Sequence, residues 1–252
     1  MNYSSFRTIA FLFFLATISL SCDSNDLKTQ TVEQFHQLDD GPFISHVVNL
    51  SNSKLQMFWK NDSSEIIRTF PRLKNYLKSK NEELVFAMNG GMFTKEYGPL
   101  GLYIDKGSVQ KQLKTATSGY GNFYMQPNGV FYISKDDKAA VVTTQNFQPT
   151  SNIEYATQSG PMLISEGKIN GNFGPKSTSL HIRNGVGILP NGNVLFAISK
   201  ERVNFYSFAE FFENKGCKNA LYLDGFVSRM YLPKKGINQM DGNFGVMIAE
   251  VK

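Results

Sequence analysis

The sequence contains few of the residues on which several common protein classes depend. In 252 residues it has two cysteines, three histidines and one tryptophan. His36, His46 and His181 lie far apart, and there is no His-Glu-x-x-His or Cys-x-x-Cys motif, which argues against a zinc enzyme. Cys22 and Cys217 are too few for a disulfide framework, and Cys217 has no partner if Cys22 is modified.

Motifs for nucleotide binding and for serine hydrolysis are missing as well. The chain has no Gly-x-Ser-x-Gly, no Gly-x-x-x-x-Gly-Lys-Ser/Thr and no Gly-x-Gly-x-x-Gly after a strand. A serine hydrolase that uses Ser159 or Ser179 with His181 is therefore an alternative without its usual motif. The net charge is +5, but the basic residues are scattered. We expect no nucleic-acid partner, because a dense basic run is needed to follow a nucleic-acid backbone.

The N-terminus has the pattern of an export signal. Residues 1–21 carry one charge, Arg7, followed by an apolar run over residues 9–20 that is too short to span a bilayer. Residues 18–22 resemble a bacterial lipoprotein signal, although Ser19 stands where leucine is usual. An ordinary cleaved signal peptide that contains Cys22 is the alternative.

These features predict how the chain is exported and anchored. We expect residues 1–21 to be a signal peptide, Cys22 to be lipidated and residues 22–40 to be a polar linker. The protein would then be an exported lipoprotein anchored to a membrane of the bacterial cell envelope, in the periplasm or at the outer membrane.

Residues 41–252 are predicted to form a single α+β domain. A hydrophobic content of 41% over 252 residues is enough for one substantial core. We expect twisted, mainly antiparallel or mixed β-sheets with a few flanking helices. Asn-Gly pairs within residues 127–129 and 190–193 predict hairpin turns, since this pair accepts positive φ. Apolar runs predict strands at residues 43–50, 55–59, 84–88, 100–104, 130–133, 139–143, 186–189, 194–198, 220–223 and 244–251.

Two helices have local start signals. Thr69 is a candidate cap for a helix over residues 71–80. Ser207 with Glu210 three residues later predicts a capping box at the start of a second helix, which Gly216 would end.

Polar residues interrupt apolar or glycine-rich sequence at several places. Glycines allow backbone N–H groups to approach an anion closely, and Arg183 offers a planar fork for two oxygens of a phosphate or carboxylate. A turn, a surface charge or a satisfied structural side chain would explain each residue alone. Their combination indicates a site for a phosphorylated or acidic ligand. The stretches singled out are Asn89-Gly90-Gly91, Gln158-Ser159-Gly160-Pro161, His181-Ile182-Arg183-Asn184-Gly185 and Asp224-Gly225 followed by Ser228 and Arg229.

Five motifs follow one another in an order known from one family. From about residue 84 to the C-terminus the sequence resembles the phosphodiester glycosidase domain family. This family includes an enzyme that removes phosphate-linked N-acetylglucosamine from lysosomal glycoproteins, and many bacterial exported proteins. Asn184 and Phe226 replace residues usual in the former branch, so this chain is more similar to the bacterial one. The motifs are Asn-Gly-Gly-Met-Phe at 89–93, Gly-Leu-Tyr at 101–103, Gln-Ser-Gly-Pro-Met-Leu at 158–163, Arg-Asn-Gly-Val-Gly at 183–187 and Ala-Leu-Tyr-Leu-Asp-Gly at 220–225.

The resemblance implies hydrolysis of a sugar-1-phosphodiester, with Asn89, Arg183 and Asp224 as catalytic residues. Ordinary glycosidases need two carboxyl groups, but a phosphate leaves as a stable anion and needs charge neutralisation more than a proton. Asp224 would act either as nucleophile or as a base on water. Substrate-binding roles are expected for Gly90, Gly91, Gln158, His181, Gly225 and Ser228.

Other interpretations remain open at this point. The main alternative is a non-catalytic lipoprotein that binds a glycan or an anionic polymer. We predict no metal ligands and no cofactor, although a divalent cation at Asp136-Asp137 stays possible. The expected partners are a sugar-phosphate or glycan substrate and, through Cys22, a membrane.

Overall fold

A computed structural model of the chain describes Met1 and residues 40–225 and 227–252. The chain divides into the units Met1–Asp39 and Asp40–Lys252. The predicted signal peptide, Cys22 and nearly all of the predicted linker lie outside the described residues, so the fold is that of Asp40–Lys252. Within the described part, no helix has the length and apolar character that a membrane crossing requires.

Asp40–Lys252 contains three β-sheets in which every strand pair is antiparallel. The strands are β1 Phe43–Val48, β2 Lys54–Phe58, β3 Leu84–Asn89, β4 Tyr103–Asp105, β5 Ser108–Lys111, β6 Gly129–Ser134, β7 Ala139–Thr143, β8 Ile153–Ser159, β9 Met162–Ser165, β10 Lys168–Ile169, β11 Asn184–Ile188, β12 Val194–Ser199, β13 Ala220–Tyr222, β14 Met230–Leu232, β15 Ile237–Asn238 and β16 Met247–Val251. The first sheet has the order β1-β12-β11-β13-β9-β10, the second β15-β14-β3-β16-β2 and the third β5-β4-β8-β6-β7. The predicted α+β class with mainly antiparallel sheets is confirmed.

One hydrophobic core is shared by all three sheets. It includes Phe196 of the first sheet, Phe86 of the second and Phe131 of the third, each fully buried. Successive residues of a strand point to opposite faces, so Leu195 and Ala197 belong to a separate cluster on the other face of the first sheet. Burial on both faces explains why β12 reads as a continuous apolar run.

Two α-helices cover outer faces of the sheets. Helix α1, Phe70–Ser79, is capped by Thr69 as predicted, and it packs Leu73 and Leu77 against the second sheet. Helix α2, Phe205–Asn214, covers the first sheet and ends before Gly216, which has φ +80°. Two 3₁₀ turns, Asn122–Tyr124 and Pro233–Lys235, complete the helical elements of the described residues.

The predicted capping box of α2 is wrong. The cap is Asn204, whose side-chain oxygen accepts the N–H of Ser207 at 2.9 Å. Ser207 therefore lies inside the first turn, because Phe205 and Tyr206 already belong to the helix.

One predicted hairpin is confirmed and the other is wrong. The turn at residues 190–193 joins β11 to β12, and Gly192 has φ +85°. Residues 127–129 form no hairpin: Asn128 is buried and donates to the Phe123 carbonyl, while Gly129 begins β6. A Cβ at Gly129 would lie 2.6 Å from the Val142 carbonyl oxygen, so this glycine permits close strand packing instead of a turn.

Candidate active site

The site lies where strand ends from the three sheets meet. Asn89 ends β3 of the second sheet, Asn184 begins β11 of the first, and Ser159 ends β8 of the third. Asp224 follows β13 on the segment that passes from the first sheet to β14 of the second. The Leu223 N–H donates to the Asn184 carbonyl at 3.1 Å, and Ser159 Oγ donates to the Leu223 carbonyl at 2.8 Å. These bonds fix the chain directly before Asp224.

Asn89 and Ser228 hold the backbone of Asp224. Asn89 Nδ2 donates to the Asp224 carbonyl at 3.3 Å, and Ser228 Oγ donates to the same oxygen at 2.9 Å. Asn89 Oδ1 in turn accepts the Arg229 N–H at 2.9 Å. Asn89 is 1% exposed, so its amide has little access to solvent and positions the Asp224 segment.

Asn184 lies in one of the polar stretches that the sequence singles out, but the sequence assigns it no role in the site. Its Nδ2 donates to both the carbonyl and Oδ1 of Asn89, at 2.9 and 3.0 Å, and its side chain is fully buried. The available signal was an asparagine at the start of an otherwise apolar and glycine-containing strand. Such a residue needs buried polar partners, and Asn89 supplies them.

Asp224 contributes to the wall of an open cavity of about 520 Å³. The cavity is lined by Phe93, Thr94, Lys95, Tyr97, Asp224, Val227, Gly242 and Asn243. Its size falls in the range of small-molecule sites, and a carboxylate in an aromatic and polar wall is the arrangement expected for a sugar-sized ligand. The sequence predicted Asp224 but none of the other lining residues.

Arg183 does not present an open guanidinium fork. Its side chain is fully buried, with Nε donating to the Val203 carbonyl and Nη2 to the Ser179 carbonyl, both at 2.8 Å. The guanidinium lies 3.6 Å above the centre of the Phe205 ring, and burial lowers the pKa of Arg183 below its usual range. Only Nη1 lacks a hydrogen-bond partner within the described residues.

Gly225 is constrained by Tyr222. A Cβ at Gly225 would lie 2.6 Å from Cζ of Tyr222 and would overlap the tyrosine hydroxyl. Burial raises the pKa of Tyr222 far above its usual range, although the nearby Arg183 opposes this. The Asp-Gly motif therefore places a residue without a side chain against a buried, neutral tyrosine.

Comparison with known proteins identifies the family. Residues 82–249 match the model of the phosphodiester glycosidase family. The chain belongs to this family. It is 38% identical over 206 residues to the uncharacterized protein YigE of Escherichia coli K12, covering 81% of this chain and 80% of YigE.

Two solved structures share the phosphodiester glycosidase fold. The catalytic domain of zebrafish N-acetylglucosamine-1-phosphodiester alpha-N-acetylglucosaminidase, auto-inhibited by its pro-peptide, superposes with a TM-score of 0.54 at 14% identity, over 85% of this chain and 84% of that one. A protein of Burkholderia pseudomallei described as exported gives 0.56 at 10% identity, over 82% and 73%. At these identities the likeness shows the fold alone.

Gly90 and Gly91 of the Asn-Gly-Gly motif lie where neighbouring atoms leave no room for a side chain. A Cβ at Gly90 would lie 2.9 Å from Cγ1 of Val246, and one at Gly91 would lie 2.5 Å from the carbonyl oxygen of Gln158. Both glycines are buried, and the Gly90 N–H donates to the Val246 carbonyl at 2.8 Å. This amide is therefore already committed within the protein.

Gln158 uses its whole amide within the phosphodiester glycosidase fold. Oε1 accepts the N–H groups of Leu102 and Lys114, both at 3.0 Å, while Nε2 donates to the Lys114 carbonyl and to Thr144 Oγ1. An amide has two donor hydrogens and two acceptor positions, and all four are occupied. Gln158 therefore positions the chain, and its amide has no donor or acceptor position left for a substrate.

The serine hydrolase alternative has no assembled nucleophile. Ser159 is buried and donates to the Leu223 carbonyl, whereas His181 is exposed and pairs through its backbone with Val203. Among the described residues, no hydrogen bond joins the His181 ring to Ser159 or Ser179. His181 also does not line the cavity that contains Asp224.

In the acidic pair Asp136-Asp137, Asp136 is engaged by a lysine and an asparagine amide of the protein. Asp136 contacts Lys138 Nζ at 2.7 Å and accepts from Asn152 Nδ2 at 3.0 Å. In residues 40–225 and 227–252, no three His, Cys, Asp or Glu side chains gather in a way that could hold a metal ion.

Proposed function

We propose that the protein hydrolyses the bond between the anomeric carbon of a sugar and a phosphodiester oxygen, with Asp224 as its catalytic carboxylate. The observation that carries this proposal is the position of Asp224, a buried carboxylate residue that lines an open cavity of about 520 Å³ within the residues that match the family. The substrate class is the one in the name of the zebrafish structural relative.

The reaction is balanced with water as the only co-reactant. The anomeric C–O bond breaks, and the phosphate monoester leaves with the electron pair. Water supplies a hydroxyl group to the anomeric carbon and releases one proton. A phosphate monoester has a second pKa near about 6, so it leaves as a stable anion and needs little protonation.

Asp224 acts on the anomeric carbon in one of two ways. As a nucleophile it forms a glycosyl ester that water then hydrolyses, and as a base it accepts a proton from the attacking water. Both require the carboxylate at a fixed position. Asn89, Asn184 and Ser228 provide this by holding the Asp224 main chain, so we assign them positioning roles.

Arg183 supports the site from inside the protein. The Arg183 guanidinium is buried 5.5 Å from the centre of the Tyr222 ring, and Tyr222 lies directly against Gly225. A fixed positive charge in a region of low dielectric stabilises negative charge more strongly than it would in water. We propose that Arg183 contributes to catalysis through this field and through the position of Tyr222.

The test is sugar release by the purified protein. UDP-N-acetylglucosamine and a small panel of sugar-1-phosphodiesters are the substrates, and Asp224→Asn is the comparison variant. We expect release by the unmodified protein and a reduction of about 10²- to 10⁴-fold or more in Asp224→Asn, with an unchanged melting temperature. A fully active Asp224→Asn protein would contradict the assignment.

The same assay separates hydrolysis from binding. If the folded protein binds these ligands without releasing sugar, the non-catalytic glycan-binding or polymer-binding lipoprotein becomes the better interpretation. Thermal shift or calorimetry with the same panel measures that binding directly.

We propose further that the protein is exported and lipid-anchored through Cys22. This rests on the apolar run before Cys22 and the polar stretch after it, and a structural relative is itself described as exported. Growth with an alkyne-tagged fatty acid should label the protein but not a Cys22→Ser variant. Cys217→Ser is the control that should stay labelled, because Cys217 is buried and burial raises the pKa of its thiol to about 12.

A further inference from the structure

The cavity that contains Asp224 has an aromatic and cationic wall that the mechanism above does not use. The rings of Phe93 and Tyr97 are stacked, with centroids 5.6 Å apart and planes inclined by 18°. The Arg68 guanidinium lies 3.9 Å above the centre of the Tyr97 ring, and Arg68 Nη2 donates to Asn243 Oδ1 at 3.2 Å. Arg68 thus contacts two of the residues that line the cavity, Tyr97 and Asn243.

The backbone of both Arg68 and Tyr97 is held in a conformation that residues with a side chain disfavour. Arg68 has φ +70° and Tyr97 has φ +63°. The Phe244 N–H donates to the Arg68 carbonyl at 2.7 Å, and Trp59 Nε1 donates to the Tyr97 carbonyl at 2.9 Å. The fold therefore maintains the strained conformation from both sides, a feature that occurs preferentially at functional sites.

Arg68 does not itself line the cavity but contacts two residues that do, and it differs from Arg229 and Arg183 in its free hydrogen-bonding capacity. Arg229 is neutralised by Asp241, with Nε and Nη2 bonded to the two carboxylate oxygens at 2.8 and 2.6 Å. Arg183 is fully buried. Arg68 is partly exposed, and in the described part of the chain it forms no salt bridge and its Nη1 makes no hydrogen bond.

We propose that Arg68, held on Tyr97, binds the phosphate group of the substrate in the Asp224 cavity. This assignment rests on the proposed function and adds the group that selects a phosphodiester over a neutral glycoside. A guanidinium can give two parallel hydrogen bonds to phosphate oxygens, and stacking on an aromatic ring limits the rotamer freedom that binding would otherwise remove. Lys95 lines the same cavity, but its Nζ lies 3.7 Å from Glu96 Oε1, so the charge of Lys95 is partly offset and the assignment rests on Arg68.

Arg68 lies outside the part of the chain that matches the family model. Residue 68 lies before the matched range 82–249, so the phosphate contact would come from a part of the chain outside the family model. Asp224 would then supply chemistry shared by the family, whereas Arg68 would supply recognition from a neighbouring segment.

The experiment uses the purified protein with Arg68→Gln, and Arg72→Gln as the matched control. Arg72 is exposed on α1, and its side chain forms no salt bridge or hydrogen bond with the described residues, so the control removes the same charge four residues away. Calorimetry compares N-acetylglucosamine 1-phosphate with N-acetylglucosamine, two probes that differ only in the phosphate. We expect Arg68→Gln to weaken binding of the phosphorylated probe by about 10- to 100-fold, without changing binding of the free sugar. In the turnover assay it should raise KM more than it lowers kcat.

The outcomes separate this inference from the proposed function. Suppose that the unmodified protein hydrolyses the substrate. If Arg68→Gln then weakens the affinity for both probes equally, or for neither, the role of Arg68 is overturned and the hydrolase proposal stays in place. Phosphate-dependent binding that Arg68→Gln abolishes, in a protein without turnover, supports Arg68 and overturns hydrolysis. If Arg68→Gln does not fold, Arg68→Lys replaces it. Lys keeps the charge but not the planar fork, and we expect a smaller loss that is again confined to the phosphorylated probe.

Discussion

At the scale of single residues, the site depends on polar groups that are buried and almost completely paired. Asn89, Asn184 and Ser228 form one connected set of hydrogen bonds around the Asp224 carbonyl. A buried amide that loses its partner costs about 1–3 kcal/mol, so each member holds the others in place. Catalytic geometry and local stability are consequently coupled at these positions.

Gly225 provides a residue-scale prediction. In Gly225→Ala the new methyl group would overlap the Tyr222 hydroxyl, and Tyr222 is fully buried and has little room to move. We expect a loss of about 1–3 kcal/mol in the free energy of unfolding, together with a large loss of sugar release. Urea denaturation followed by circular dichroism measures the first effect, and the turnover assay measures the second.

The control for this prediction is Gly171→Ala. A Cβ at Gly171 meets no atom within 4 Å, and the backbone there does not require glycine. We expect its stability to stay within about 0.5 kcal/mol of the unmodified protein, with full activity. Equal stability of the two variants would show that the Tyr222 contact is less restrictive than its geometry implies.

The sequence motifs indicate which residues lie together in the fold better than they indicate what each side chain contacts. Polar residues at predicted strand ends single out Asp224, Asn89 and Ser228, and the structure joins these three residues in one hydrogen-bond network. The sequence predicts that the Arg183 guanidinium is open to an anionic ligand, but the guanidinium is buried and stacks on the Phe205 ring. Sequence spacing cannot reveal which side of a strand end faces solvent, because that depends on packing between distant segments.

At the scale of elements, all ten predicted strands have counterparts, and the missed strands were missed for more than one physical reason. Strand β8, Ile153–Ser159, ends in the buried polar residues Thr157, Gln158 and Ser159. A strand of this kind shows neither alternation nor an apolar run, since hydrogen bonds to distant segments compensate its polar side chains. Strands β14 and β15 were missed because they have only three and two residues.

Gln158 is the basis of an element-scale prediction. Its amide joins the end of β8 to the segment after β5 through Lys114 and to the start of β4 through Leu102. In Gln158→Leu these backbone groups lose their partners, and we expect the free energy of unfolding to fall by about 2–4 kcal/mol. Urea denaturation measures the change, and faster hydrogen exchange at Lys114 would locate it.

The matched control is Gln110→Leu on β5, where the side chain is exposed and contacts only Ser108. Its stability should change by less than about 0.5 kcal/mol. If Gln158→Leu is equally mild, or if it weakens substrate binding without loss of stability, the predicted role in substrate binding regains support.

At the scale of the whole molecule, two half-buried carboxylates connect separate parts of the structure. Glu250 of β16 in the second sheet bonds to His46 of β1 in the first sheet, with Oε2 and Nε2 2.6 Å apart. Asp40 pairs with Lys215 at the end of α2 at 2.7 Å and accepts from Ser45 of β1. Each contact ties together elements that lie far apart in the chain.

Both contacts predict a loss of stability in acid. Burial is the largest single influence and would raise the pKa of Glu250, but the hydrogen bonds with His46 and Ser53 and the nearby positive charges together outweigh it, so the pKa lies below its usual 4.5. For Asp40, burial is likewise outweighed by Lys215 and Ser45, which place its pKa below 3.8. The folded state then binds fewer protons than the unfolded state, so this stabilisation is complete above about pH 5 and is lost as the pH falls through the folded pKa values.

The whole-molecule prediction compares Glu250→Gln with Glu201→Gln from pH 7 to pH 3. Glu250→Gln removes a carboxylate with a lowered pKa, so we expect about 1 kcal/mol less stability at pH 7 and a smaller further loss towards pH 3 than in the unmodified protein. Glu201 is exposed, and its variant should follow the unmodified curve. Urea denaturation at each pH gives the free energies. Parallel curves for all three proteins would mean that the His46–Glu250 contact does not contribute to the acid sensitivity, whereas convergence of Glu250→Gln and the unmodified protein at low pH would identify this contact as a source of it.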